Sequence, residues 1–321
     1  MEKSFWQRPA VMAGLAVVCC ALWGSAFPCI KMGYGLLDIQ DTGSQILFAG
    51  YRFFLAGVLT WVLGSVLEKR PLVMKKTSVL PVFGQGLLQT TVQYVFFYIG
   101  LAHCTGSKGS ILDATSTFFA ILLAHFVLKN ERMTLRKGIG CLVGFLGVLV
   151  VNMDGLLPSL LGFRIGLAGA GATTGGFHAL GEGFVLISAA AYGISSVTLK
   201  FITDKESPTT ITAYQLMMGS AILIAAGFAL GGHVTGFTWQ SALLLLYMAL
   251  LSTVAFSIWT TLLKYNPVST VSVFSFSIPV FGSLLSGIFL QEQVFSITTL
   301  VALALVCVGI IIVNSRSKGW D

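Results

Sequence analysis

Charge is what this chain most lacks. Asp, Glu, Lys and Arg make up 10% of its 321 residues, against about 25% in an ordinary soluble domain. A soluble fold of this length needs a polar exterior, which a chain that is 55% hydrophobic cannot supply. Catalytic signatures are missing too: there is no HExxH, no GxSxG, no Walker A loop and no GxGxxG opening a βαβ unit. His103, His125, His178 and His233 are scattered. None of the six cysteines stands in a CxxC or Cys/His spacing, which argues against zinc. Cys19 and Cys20 are neighbours that diverge by about 100° on a helix, and they read as small buried hydrophobes. Neither a metal nor a cofactor is implied.

What the sequence does have is one apolar run after another. A helix needs about 20 apolar residues to cross a bilayer. That ruler marks ten candidate spans: 11–33, 44–66, 79–101, 108–128, 136–153, 182–202, 209–230, 239–262, 268–290 and 295–314. The apolar run after MEKSFWQR reaches Lys31, longer than the ~7–15 residues of a signal-peptide core, so a retained first helix is expected. Gly is abundant, at 36 residues, as suits helices that approach closely in a membrane. The expected fold class is therefore an all-α polytopic membrane protein. Its partners are the lipid bilayer and a small-molecule substrate.

The basic residues orient it. With the N-terminus inside, fifteen of the nineteen Lys and Arg residues fall on inner segments, and Lys31, Arg52, Lys108 and Arg164 remain outside or in the outer half. The positive-inside rule then predicts a multi-pass cell-membrane protein with both termini cytoplasmic. The net charge of +7 is topological, and no folded basic face is left for nucleic acid.

The chain repeats itself. ALWGSAFPCIK (21–31) aligns with AAYGISSVTLK (190–200), placing Trp23 on Tyr192, Gly24 on Gly193 and Lys31 on Lys200. The segment QTTVQYVFFYIGLAHC…LKNERM aligns without gaps on LLSTVAFSIWTTLLKY…FLQEQV, placing Tyr98 on Trp259 and Glu131 on Glu292. LGVLVVN (146–152) falls on VGIIIVN (308–314). Residues 1–153 and 182–321 then carry five spans each, with 154–181 an external linker. Five is odd, so the second copy enters the membrane upside down. Packing alone would also retain a duplication, but inverted repeats are a hallmark of transporters with a midplane site.

LAVVCCALWGSAFPCIK, AGYRFFLAG, FFYIGLAHC and NERMTLRKGIGCLVGFLGVLVVN resemble the first EamA-type module of the drug/metabolite transporter superfamily. SFSIPVFGSLLSGIFLQEQ and GIIIVN resemble the second. The resemblance implies ten transmembrane helices in two inverted five-helix repeats around a central cavity, and usually export of small metabolites. The family often carries a proline midway along the fourth helix of each repeat. Pro279 supplies it in the second, whereas Phe118 stands at the matching position of the first.

Candidate cavity residues follow from polar and aromatic groups at membrane depth. Trp23 lies mid-span, too deep for an interfacial belt, and Gly24 and Gly193 permit backbone approach beside Trp23 and Tyr192. Gln89, Gln93 and Phe97 share one helical face. Two glutamines there need partners, either a neighbouring helix or a wet cavity, and Gln93 is the deeper. Ser110, Asp113 and Thr117 share a face of the fourth span; Ser272, Ser275 and Pro279 share one on the ninth. Trp259 completes the set. Lys31 and Lys200 read as snorkelling anchors at span ends. Glu131 and Glu292 read as capping or inter-helix groups. Gly140/Gly144, Gly282/Ser286 and Ser283/Gly287 allow close helix packing within the chain or across a homodimer.

Asp113 demands the most. A bare Asp at a helix centre costs about 2.5–3.5 kcal/mol even on a lenient insertion scale. Arg52 enters from the same side at similar depth. The repeat places Gln215 at the position of Arg52 and Phe274 at that of Asp113, so the second half lacks both charges together. An Arg52–Asp113 charge pair is expected. The alternative is an unpaired Asp113 acting as a proton site, with protons as coupling ion. The functional reading is an exporter of amino acids or related metabolites working by alternating access. The alternatives are an uncoupled facilitator of similar solutes, an intramembrane enzyme or a membrane scaffold.

Overall fold

A computed structural model describes residues 5–103, 106–128, 131, 133–151, 179–290 and 297–314. All regular structure among them is helical. The helices are α1 (Pro9–Leu36), α2 (Thr42–Leu67), α3 (Val79–Gly86), α4 (Gln93–His103), α5 (Gly106–Val127), α6 (Leu135–Val151), α7 (Phe184–Thr203), α8 (Pro208–Ala229), α9 (Trp239–Tyr265), α10 (Val268–Ser272), α11 (Ser277–Leu290) and α12 (Ile297–Asn314).

Their starts are written in the sequence. Pro9 opens α1 and Pro208 opens α8, where a missing N–H costs nothing. The Asp41 side chain accepts from Ser44 N at 2.8 Å, and Ser207 Oγ accepts from Thr210 N at 3.1 Å. Thr238 and Ser241 form a reciprocal capping box for α9.

Six helical stretches among the described residues are long and apolar enough to cross a membrane: Pro9–Leu36, Thr42–Leu67, Ala179–Thr203, Pro208–Ala229, Trp239–Tyr265 and Val268–Phe289. The chain is a multi-pass membrane protein. The expected linker 154–181 lies outside the described residues up to 178. From Ala179 the chain is already in a π-helical turn, Ala179–Gly183, that leads into α7, so this stretch begins three residues before the expected 182.

Two expected spans are not regular helices. Between α3 and α4 the chain widens into a π-helix over Leu87–Val92, the kind of local bulge often found at functional sites. Between α10 and α11 it tightens into a 3-10 turn, Val273–Phe276. Pro279 explains the second break. It has no N–H to give the Ser275 carbonyl, and its ring crowds that oxygen. With Phe118 at the matching position, α5 runs unbroken.

The largest helix contacts join early to late segments: α2 packs on α8, α6 on α12, α5 on α7, and α1 on α9 and α11. Small residues make these seams. A Cβ added to Gly24 would lie 2.6 Å from Phe281 Cβ, and one added to Gly193 would lie 2.5 Å from Phe119 Cβ. Gly140 faces Val313 and the Gly309 carbonyl, and Gly144 faces the Phe276 ring. That pair is therefore used within the chain.

Hydrogen bonds define one face of the bundle. Asn266 Nδ2 donates to Trp6 O at 3.0 Å and Gln7 Nε2 to Tyr265 O at 3.1 Å. Lys75 Nζ reaches Lys205 O at 2.7 Å, and Lys75 N donates to Glu206 Oε2 at 3.0 Å. Thus α1 begins where α9 ends, and α12 ends beside the start of α6 on this same face. Two apolar cores fill the bundle, one around Cys19, Cys20 and Leu263, the other around Phe48, Phe53 and Tyr98. Trp23 packs against both, and the cavity lies there.

Candidate functional site

The cavity is built from α1, α2, α4, α5, α7, α9 and the broken α10–α11 segment. Its lining comprises Trp23, Ala26, Phe27, Ile30, Arg52, Gln93, Tyr94, Phe97, Asp113, Ser116, Tyr192, Phe256, Ser275 and Ile278. Its volume is about 70 Å³. One water needs roughly 10–15 Å³, so several waters or part of a small solute fit.

Aromatic side chains form the walls. Trp23 meets Phe256 edge to face at 5.5 Å, and Phe27 meets Phe97 at 5.9 Å. Tyr94 stacks against Phe53 at 4.2 Å. Among these walls four buried polar atoms have no hydrogen-bond partner: Trp23 Nε1, Gln93 Oε1, Tyr192 Oη and Ser275 Oγ. The Tyr192 and Ser275 hydroxyls are near enough to influence each other, yet make no bond of ordinary geometry. Each unmet buried group costs about 1–3 kcal/mol. All four belong to residues that line the cavity.

Arg52 is 2% exposed and its guanidinium lies 4.8 Å from the Phe53 ring centroid. Its Nε donates to Ser252 Oγ at 3.1 Å, and Nη1 reaches Tyr98 Oη at 3.5 Å. No Arg52–Asp113 ion pair is formed. The reason is geometric. Tyr98 and Ser252 hold the guanidinium from α4 and α9, and Tyr94 stands within electrostatic reach of both charges. Asp113 is half-buried, its open surface facing the same cavity.

Of the expected residues, Trp23, Gln93, Phe97, Asp113, Tyr192, Ser275 and Arg52 are thus brought together. Trp259 is not in the lining: it is 1% exposed and packs behind Trp23. Gly24 and Gly193 serve helix seams. Thr117 is buried and donates to Ser272 O at 3.4 Å, tying α5 to α10; Ser116, one residue earlier, lines the cavity instead. Pro279 is buried behind the lining, where it breaks the helix below Ser275. The Ser110 side chain lies outside the described residues. Gln89 accepts from Gln85 Nε2 at 2.8 Å, and Gln85 Oε1 accepts from Thr198 Oγ1 at 2.8 Å, which locks the π-helical segment to α7.

Tyr94, Phe256, Phe27, Ala26, Ile30 and Ile278 were missed. Tyr94 follows Gln93 directly, and that adjacency was the available signal. The others are ordinary apolar residues in apolar runs. Among the described residues no cluster of His, Cys, Asp and Glu suits a metal.

The profile of the EamA-like transporter family matches residues 11–153 and 179–315. The chain belongs to the EamA-like transporter family. That family lies within the drug/metabolite transporter superfamily. An uncharacterized transporter of Archaeoglobus fulgidus is 27% identical over 296 residues, covering 91% of this chain and 94% of the relative. The uncharacterized transporter YoaV of Bacillus subtilis is 26% identical over 305 residues, covering 94% and 95%. A probable amino-acid metabolite efflux pump of Escherichia coli is 25% identical over 304 residues, covering 89% and 88%. A crystal structure with a TM-score of 0.76 at 16% identity covers 96% of this chain and 97% of its own, and shows a shared fold. The cavity therefore sits in a membrane transporter for small molecules.

Proposed function

We propose that this transporter exports amino acids or related small organic metabolites across the cell membrane by alternating access. The observation that carries the reading is the set of four unpartnered polar atoms in the aromatic cavity. Trp23 and Gln93 come from segment 1–153, and Tyr192 and Ser275 from 182–321. A site shared between two halves changes access when one half rocks on the other.

The two segments are read as inverted five-helix repeats, ten spans in all, joined by an external linker, with both termini cytoplasmic. The packing supports this. α1 lies on α11 as α7 lies on α5, with Gly24 and Gly193 at the two seams. The Escherichia coli relative supports the cargo class. The face where Asn266 meets Trp6 supports the mechanism: Gln215, Trp259 and Ser272 lie within seven residues of helix ends there, buried with unmet polar atoms, and a wetted opening relieves them.

Counterflow of labelled amino acids in sealed liposomes tests the reading. At least one amino acid exchanges, and Tyr192→Phe or Gln93→Leu alters its KM at normal protein abundance. Failure of every amino acid to exchange overturns the cargo. A pH gradient that drives accumulation marks protons as coupling ion; indifference to the gradient marks a facilitator. Lys75→Cys labels only after permeabilisation if that loop is cytoplasmic.

A further inference from the structure

Arg52 is a buried cation whose bonded partners, Ser252 and Tyr98, are both neutral. A guanidinium has five N–H donors, and two of them are engaged here. Among the described residues no carboxylate lies within 4.0 Å of it, and the Asp113 carboxylate takes neither an ion pair nor a hydrogen bond. Both residues line the one cavity, with Tyr94 within electrostatic reach of each. An enclosed charge without its counter-charge is expensive, and this site holds one of each sign.

We propose that Arg52 and Asp113 recognise the two ends of an amphoteric solute, Arg52 taking its carboxylate and Asp113 its ammonium. This rests on the cavity being the substrate site. A purely anionic solute answers Arg52 and leaves Asp113 bare; a purely cationic one does the reverse. An amphoteric solute answers both and brings no net charge into a low-dielectric space. The rest of the lining, which includes Trp23, Phe27, Phe97 and Phe256, carries no further charge, so the side chain it accepts is uncharged. The planar fork of Arg suits a carboxylate through two parallel hydrogen bonds, and its bonds to Ser252 and Tyr98 hold that fork in place.

The test is binding by the full-length protein in detergent, read as thermal stabilisation. The twenty proteinogenic L-amino acids are screened first. Each that binds is then compared with its decarboxylated amine and its deaminated acid. At least one amino acid with an uncharged side chain binds, and both analogues bind at least about tenfold more weakly. In Arg52→Gln the preference over the amine disappears; in Asp113→Asn the preference over the acid disappears. Absence of binding by any amino acid, or equal binding of either analogue, overturns the proposal. The analogue comparison on the unaltered protein decides even if both variants fail to fold. Counterflow separates this from the transport reading. Exchange that the amine inhibits as well as the amino acid keeps transport and discards the anchor; tenfold-selective binding without exchange keeps the anchor and discards transport.

Discussion

Trp23 and Trp259 meet edge to face, their ring centroids 5.0 Å apart and their planes at 66°. One ring faces the cavity and the other is sealed behind it. Such pairs are worth about 0.5–1.5 kcal/mol beyond the area they bury. Trp259→Phe keeps an edge for Trp23 and leaves solute exchange near its original rate. Trp259→Ala removes a ring that is 1% exposed and costs about 3–5 kcal/mol. It lowers the melting temperature in detergent and frees Trp23 to tilt, which raises KM. Unchanged melting and KM in Trp259→Ala mean that the ring supports neither.

The helix seams make a sharper test because the chain carries its own control. A Cβ at Gly193 meets Phe119 Cβ at 2.5 Å and Ala120 N at 2.9 Å, and the latter is backbone that cannot swing aside. Gly193→Ala therefore drives α7 off α5 and lowers the melting temperature by several degrees. Gly14 has nothing within 4 Å of the same probe atom. Gly14→Ala is neutral or stabilising by up to ~1 kcal/mol, since Ala outranks Gly within a helix. Equal effects at the two positions discard the seam argument.

What was legible in the sequence and what was not divides along one line. Depth along a helix is countable from the sequence, and it brought Trp23, Gln93, Asp113, Tyr192, Ser275 and Arg52 to one level. Direction around the helix also depends on which neighbours pack there. Thr117 and Ser116 differ by a single residue, yet one bonds to the Ser272 carbonyl and the other lines the cavity. Arg52 and Asp113 share a depth, but the guanidinium is claimed by Ser252, two hundred positions away. Phe256 and Ile278 are indistinguishable in sequence from the apolar residues beside them. The break at Val273–Phe276 follows from Pro279, whereas nothing in LLQTTV foretells the π-helix.

Asp41 links stability to pH. It caps α2, and hydrogen bonding by Ser44 holds its carboxyl below the usual carboxylate range. A group with a depressed folded pKa contributes stability above its unfolded pKa, near 3.9, and loses it as pH falls through the folded value. Asp41→Asn is therefore less stable than the original protein at pH 7, modestly so because the site is exposed. The gap between the two melting temperatures narrows as pH falls below about 4. A gap that does not narrow at all as the solution is acidified assigns the effect to something other than the carboxylate's charge.

The last prediction concerns the face where Asn266 meets Trp6. The turn at Asn266 and Pro267 is bracketed by two charged side chains from elsewhere in the chain. Glu131 accepts from Val268 N at 2.8 Å and Ser269 N at 3.1 Å. Lys200 Nζ donates to Leu263 O at 2.7 Å and Asn266 O at 2.5 Å. One residue thus satisfies the orphan amides that open α10, and the other the orphan carbonyls that close α9. Removing either charge strands groups worth about 1–3 kcal/mol each. If this face opens during transport, the bracket holds it shut, and Lys200→Met raises the open fraction. A cysteine at Gln215, fully buried and seven residues into α8, reports that opening by its rate of maleimide labelling. Labelling in Gln215→Cys accelerates when Lys200→Met or Glu131→Ala is added, and a bound amino acid slows it again. A lower melting temperature with no acceleration assigns the bracket to folding alone and leaves the opening of this face to other contacts.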